Sequence, residues 1–133
     1  MSARYHPLAV NAQAEAISRL LDGGYLDIMT GARPESEDDV VREEQRLSRN
    51  QFAPKAFGVP KDGVLEANKI EKSVAIRKGE PTWCRCLTRD ERPVVDGDYG
   101  TTGANLVGKV TMIVEGQIVN ITAFRHTVSK QGI

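Results

Sequence analysis

The stretch TWCRCLT, Thr82 to Thr88, decides how the rest of the chain is read. It follows a turn signal, Lys78-Gly79-Glu80-Pro81, and precedes another, Asp90 to Pro93, so its length and its aromatic and threonine content read as a β-strand. Alternate side chains of a strand point to opposite faces. Cys84 and Cys86 therefore share one face with Thr82 and Thr88, while Trp83, Arg85 and Leu87 share the other.

Working outward, the C-terminal half is a succession of short strand candidates: Val64 to Ile70, Ser73 to Arg77, Thr82 to Thr88, Val94 to Asp96, Leu106 to Val107, Lys109 to Val114 and Gln117 to Val128. Glycine-, proline- and aspartate-containing turns separate them, including the region Asp96 to Gly103. The segment VTMIVEGQIVNITAF alternates on both sides of Glu115-Gly116, which predicts a core hairpin turning there. No long crossover helix is available between strands, so parallel pairing is not expected.

Upstream, Val10, Ala14, Ile17 and Leu21 recur at the spacing of one helical face, with Gln13, Glu15, Ser18 and Arg19 on the other sides. Pro7 suits the start and Asp22-Gly23-Gly24 the stop, predicting a helix over about residues 8–21. Tyr25 to Thr30 reads as the first strand, and GARPESEDD after it is turn and loop chemistry. The expected fold is mainly β: a single antiparallel β-sandwich or jelly-roll-like domain over 1–133, with one N-terminal α-helix and strands from about residue 25 onward.

Composition narrows the function classes. Eighteen basic residues balance eighteen acidic ones in 133 residues, so nothing in the overall charge calls for nucleic acid or an anionic membrane. The neutrality conceals a polarity along the chain: residues 1–50 carry nine acids and six bases, residues 51–133 nine acids and twelve bases. The N-terminus lacks a signal peptide's apolar core and no run is long enough to cross a bilayer, so the expectation is a soluble protein made in a cytoplasm.

No residue pattern announces catalysis. The serines lack a nucleophile-elbow context, and His6 and His126 have no nucleophile nearby in sequence, so the chain is not expected to be an enzyme. No cofactor is expected: Gly97, Gly100 and Gly103 resemble a phosphate loop, but no helix start or Lys-Ser/Thr follows them. Asp96, Asp98 and Asn105 lack the spacing of a calcium loop, and two cysteines with two distant histidines make a poor zinc site, so no metal is expected. In an extended strand the Cα atoms of Cys84 and Cys86 stand roughly 6.5 to 7 Å apart, at the limit of disulfide geometry. They read as core thiols or as intermolecular disulfides in an assembly. Trp83 and Arg85 are expected to be structural. The candidate partner contact is the acidic run Glu35, Glu37, Asp38, Asp39, Glu43 and Glu44, interrupted only by Arg42 among basic residues.

The order of four segments carries a resemblance: LLDGGYLDIMTGARP, AFGVPKDGVLEANKI, GEPTWCRCLTRDERPVVDGDYGTTGANL and GQIVNITAFRHTV. Together they are similar to a family of small, mostly uncharacterised structural proteins of tailed-bacteriophage virions. The matching residues are Asp22, Gly23, Gly24, Gly31, Pro34, Ala56, Phe57, Gly58, Thr82, Trp83, Arg85, Asp96, Gly97, Gly100, Gly103, Ile121, Thr122 and Phe124. The resemblance implies a virion structural protein, foremost a capsid decoration or cement protein that bridges shell subunits. Its partners would be the major capsid protein or other virion proteins, with homo-oligomers in the particle and neither nucleic acid nor membrane. A neck- or tail-associated structural protein, or a carbohydrate-binding host-recognition module, is the alternative. This chain departs from the family at Cys84 and Cys86, where aromatic or aliphatic residues are common, and in the charged segment from Glu35 to Arg49, where neutral residues are usual.

Overall fold

A computed structural model describes residues 3–36 and 40–129. Pro7, whose ring presets a helical backbone angle, opens the helix α1, Pro7–Leu21. Val10, Ala14, Ser18 and Leu21 form its buried seam. Ser18, expected on a polar side, is buried in this seam, while Ile17, expected in it, is half-buried. The helix stops where Gly23 adopts φ +67° and donates its N–H to the Ala53 carbonyl at 2.9 Å. At its other end, a Cβ on Gly63 would stand 2.3 Å from Val10 Cγ1, so only glycine allows that turn to close on the helix.

The strands are β1 Tyr25–Met29, β2 Arg46–Gln51, β3 Val64–Glu66, β4 Ser73–Val74, β5 Trp83–Leu87, β6 Pro93–Gly100, β7 Leu106–Val107, β8 Ile118–Val119 and β9 Ala123–Thr127. Seven form one sheet in the order β2-β1-β5-β6-β7-β9-β3, and β4 pairs with β8 in a separate two-stranded ribbon. The chain is therefore mainly β with one N-terminal helix, as read from sequence. The sheet is mixed, however: β7 runs parallel to β6. The excursion from 101 to 105 makes this possible without a crossover helix. Asn105 donates its backbone N–H to Asp98 Oδ1 at 2.8 Å and returns an acceptor to the Asp98 N–H at 3.2 Å, bringing the chain back beside the strand it left. Gly97 and Gly100 accordingly lie inside β6 rather than in a turn.

Two further points differ from the sequence reading. Arg46–Gln51, absent from the strand candidates, forms β2 and pairs antiparallel with β1, with Leu47 bulged out of register. It escapes hydropathy because, beside Leu47, its fully buried residues are the polar Ser48 and Asn50. The turn at Glu115-Gly116 forms, with Gln117 N–H donating to the Val114 carbonyl at 3.0 Å and Gly116 at φ +87°, but the expected hairpin ladder does not: the flanking segments pair elsewhere, Ile118–Val119 with Ser73–Val74 and Ile113 in a single bridge with Gly79. Residues 109–112 form no strand.

The core gathers Leu26 and Ile28 of β1, Cys84 and Cys86 of β5, and Ala14 and Leu21 of α1. Phe52, Phe57 and Phe124 pack in a tilted trio with ring centroids 5.6 to 6.2 Å apart, a geometry that aromatic quadrupoles favour. The ribbon is tied to β2 through Ile76 N–H to the Leu47 carbonyl at 2.8 Å and through the carboxamide of Asn50.

Candidate functional site

The outer face of the sheet is organised by register. Arg49 of β2, Asp27 of β1, Arg85 of β5 and Asp96 of β6 are directly paired across four strands, a row of alternating charge. Asp27, an acid inside the apolar strand YLDIM, is almost fully buried and needs a partner. Arg49 supplies it with two bonds, at 2.8 and 2.9 Å, and also pairs with Glu91. That hydrogen bonding, from Asp27 above all, holds the Arg49 guanidinium well above its ordinary pKa. Arg85 grips Asp96 in the same two-pronged way at 2.8 and 3.1 Å. The guanidinium planes lie over Tyr25 and Trp83, at 5.1 and 5.4 Å from the ring centroids.

At one end of this face Thr30 and Gln45 are clasped together. Thr30 N–H donates to the Gln45 carbonyl at 2.8 Å, and the Gln45 carboxamide donates back to Thr30 O at 3.0 Å. The Trp83 indole N–H also reaches Thr30 O, at 3.3 Å, and the Thr82 hydroxyl donates to Gly31 O at 2.8 Å. Arg77 closes the far side through the Glu43 and Arg46 carbonyls at 3.0 and 2.9 Å. Between these anchors Val40 stands 86% exposed, an aliphatic side chain held out to solvent.

The sequence candidates distribute as follows. Glu35 is exposed and borders a recess with Ser36, Arg85 and Pro93 to Asp96. Glu43 is exposed but paired, 2.7 Å from Arg46, and Glu44 is exposed beside Val40 and Arg42. Glu37, Asp38 and Asp39 lie outside the described residues. Trp83 is buried on the outer face beneath the clasp, with Arg85 half-buried beside it. The acidic N-terminal and basic C-terminal halves do not segregate in space, since β1 and β2 pair into the sheet alongside β5 and β6.

Cys84 and Cys86 are unpaired thiols on the inner face, each fully buried. Burial pushes the Cys84 thiol up to about 12 and that of Cys86 well above its usual value, so both stay protonated and inert in the folded chain. Asp96 is committed to Arg85 and Asp98 to Asn105, and among the described residues no three His, Cys, Asp or Glu side chains converge as metal ligands. The one signal that would have exposed the charged row is Asp27 itself; its partners depend on strand order and cannot be read locally. Comparison with protein-family models, curated proteins and solved structures returned no match to this chain.

Proposed function

We propose that the protein is a structural component of a bacteriophage particle, a capsid decoration protein that docks on the shell through the surface around Val40, beside the clasp of Thr30 and Gln45. The observation that carries this reading is Val40, exposed near a base that backbone and side-chain bonds lock to the charge-paired sheet. An aliphatic side chain beside Arg42 and Glu44 combines an apolar anchor with steering charges. The similarity of four ordered sequence segments to phage virion proteins supports the setting. In a shell lattice, many copies multiply a modest contact, so no single interface has to be strong.

The test is quantitative mass spectrometry of purified particles together with rebinding of the purified protein to shells that lack it. A copy number that follows the shell subunits, with rebinding weakened by Val40→Asp or Glu44→Lys, is the expected outcome. A copy number fixed at a few per particle would move the protein to the neck or tail. Rebinding unaffected by either substitution would overturn the docking surface.

A further inference from the structure

Cys84 and Cys86 are the only cysteines of the chain and stand side by side on the inner face of β5, the strand that joins β1 to β6. Ile28 and Gly97 lie opposite Cys84 in register, Leu26 and Val95 opposite Cys86, and neither thiol is exposed. An extended strand holds residues two apart with their Cα atoms roughly 6.5 to 7 Å from each other and their side chains parallel, whereas a disulfide draws the two Cβ atoms to about 3.8 Å. Closing the pair therefore bends β5 at Arg85. That bend breaks the ladders to β1 and to β6, and with them the grip of Arg85 on Asp96. Oxidation of the pair and folding of the sheet exclude each other.

We propose that Cys84 and Cys86 are a folding-coupled redox switch: the folded chain keeps them as thiols, and an unfolded chain closes a disulfide between them that bars the sheet from re-forming until it is reduced. Unfolding removes both obstacles to the bridge. The thiols leave the core, where burial keeps them protonated, and the freed backbone turns so that two groups one residue apart meet far more often than either meets a thiol of another molecule. With no third cysteine, this is the only bridge the chain can make within itself. With a small disulfide such as oxidised glutathione the step balances as two exchanges. One cysteine thiolate attacks it, releasing one glutathione thiolate and leaving a mixed disulfide; the second cysteine thiolate attacks the protein sulfur of that bond and releases the other. The protein gives up two electrons and two protons, which leave as two glutathione thiols. The chain therefore has to complete β5 where thiols are kept reduced, and once folded it tolerates an oxidising exterior. This coupling needs no partner and stands apart from the docking surface around Val40.

The experiment treats the purified full chain with oxidised glutathione at about pH 8, where free thiols ionise appreciably, once folded in buffer and once unfolded in urea. Intact mass follows the bridge, and near-ultraviolet circular dichroism after dilution from urea follows the fold. The unfolded chain is expected to lose two hydrogens as a monomer and, on dilution, to stay without the native signal until dithiothreitol is added. In the folded chain the bridge forms only through global opening, so it should appear about 10³-fold more slowly or slower still. Untreated chain carried through urea sets the signal that recovery must reach. The double variant Cys84→Ala, Cys86→Ala, which has no thiol, should refold after the full treatment; where it fails to fold at all, recovery of the natural chain by dithiothreitol gives the same answer. A bridged monomer that regains the native signal, or a folded chain that bridges within about tenfold of the unfolded rate, would overturn the proposal. An unfolded chain that yields only mixed or intermolecular disulfides would overturn it as well.

Discussion

Asn50 offers the sharpest test of how the two sheets are joined. Its side chain is fully buried in β2. The carboxamide donates to the Val119 carbonyl at 3.1 Å and to the Glu71 carbonyl at 2.9 Å, and its oxygen accepts the Ser48 hydroxyl at 3.1 Å. Asn50→Ala leaves the Val119 carbonyl and the Ser48 hydroxyl buried without these partners, at about 1–3 kcal/mol each, while the Glu71 carbonyl, nearer solvent, recovers water. The expected loss is about 2–6 kcal/mol, a large share of the roughly 5–15 kcal/mol by which a domain is stable. Urea denaturation measures it, and amide exchange locates it. Because Asn50 ties the ribbon to β2, the Ala75 and Ile76 N–H groups, bonded to the Gln117 and Leu47 carbonyls, should lose protection before the amides of β5. Asn50→Asp keeps the shape but cannot donate when ionised, so it should be at least as damaging at neutral pH and recover in acid, where a protonated carboxyl restores one donor. A loss below about 0.5 kcal/mol for Asn50→Ala, the range of ordinary surface substitutions, would refute the reasoning.

Three further outcomes follow from the site. Asp27→Asn should cost about 1–3 kcal/mol in urea melts, less than for a fully buried pair because Arg49 is 26% exposed and keeps Glu91; Glu91→Gln, on the exposed side, should fall within about 0.5 kcal/mol of the natural chain. Cys84 and Cys86 should resist thiol reagents at pH 8 unless the chain unfolds. Their folded pKa values lie above the unfolded one, so this contribution to stability is complete below about pH 9 and declines as pH rises toward 12, by up to about 1.4 kcal/mol per pH unit for each thiol; a stability profile flat across that window would contradict their burial. Trp83→Ala should cost about 3–5 kcal/mol, read from denaturant midpoints, because it empties a buried indole site and frees the Thr30 carbonyl of the clasp.

The helix and the strands β1, β5 and β7 are legible because their causes are local: a proline start, a glycine stop, and side chains that alternate in period two or recur in period 3.6. The acidic run, Trp83 and Arg85 also stand out by residue type. β2 does not, since Ser48 and Asn50 occupy inward positions that a hydropathy pattern reserves for apolar residues. The segment from Val110 to Val119 carries the alternation of two hairpin strands, yet apart from its own turn at Glu115-Gly116 its pairing partners, Ser73, Val74 and Gly79, lie far away in sequence.

By itself the sequence determined which stretches could be helix or strand, that the two cysteines would share one face, and that acids would cluster before β2. Only the tertiary structure decided which strands are neighbours, and with that everything defined by register. Asp27 and Arg49 are an ion pair, and Arg85 finds Asp96 rather than a partner's charge. The reason is physical. Period and propensity act over a few residues, whereas pairing is chosen by long-range hydrogen bonds and burial, and a shift of one residue would turn every side chain of a strand to the opposite face.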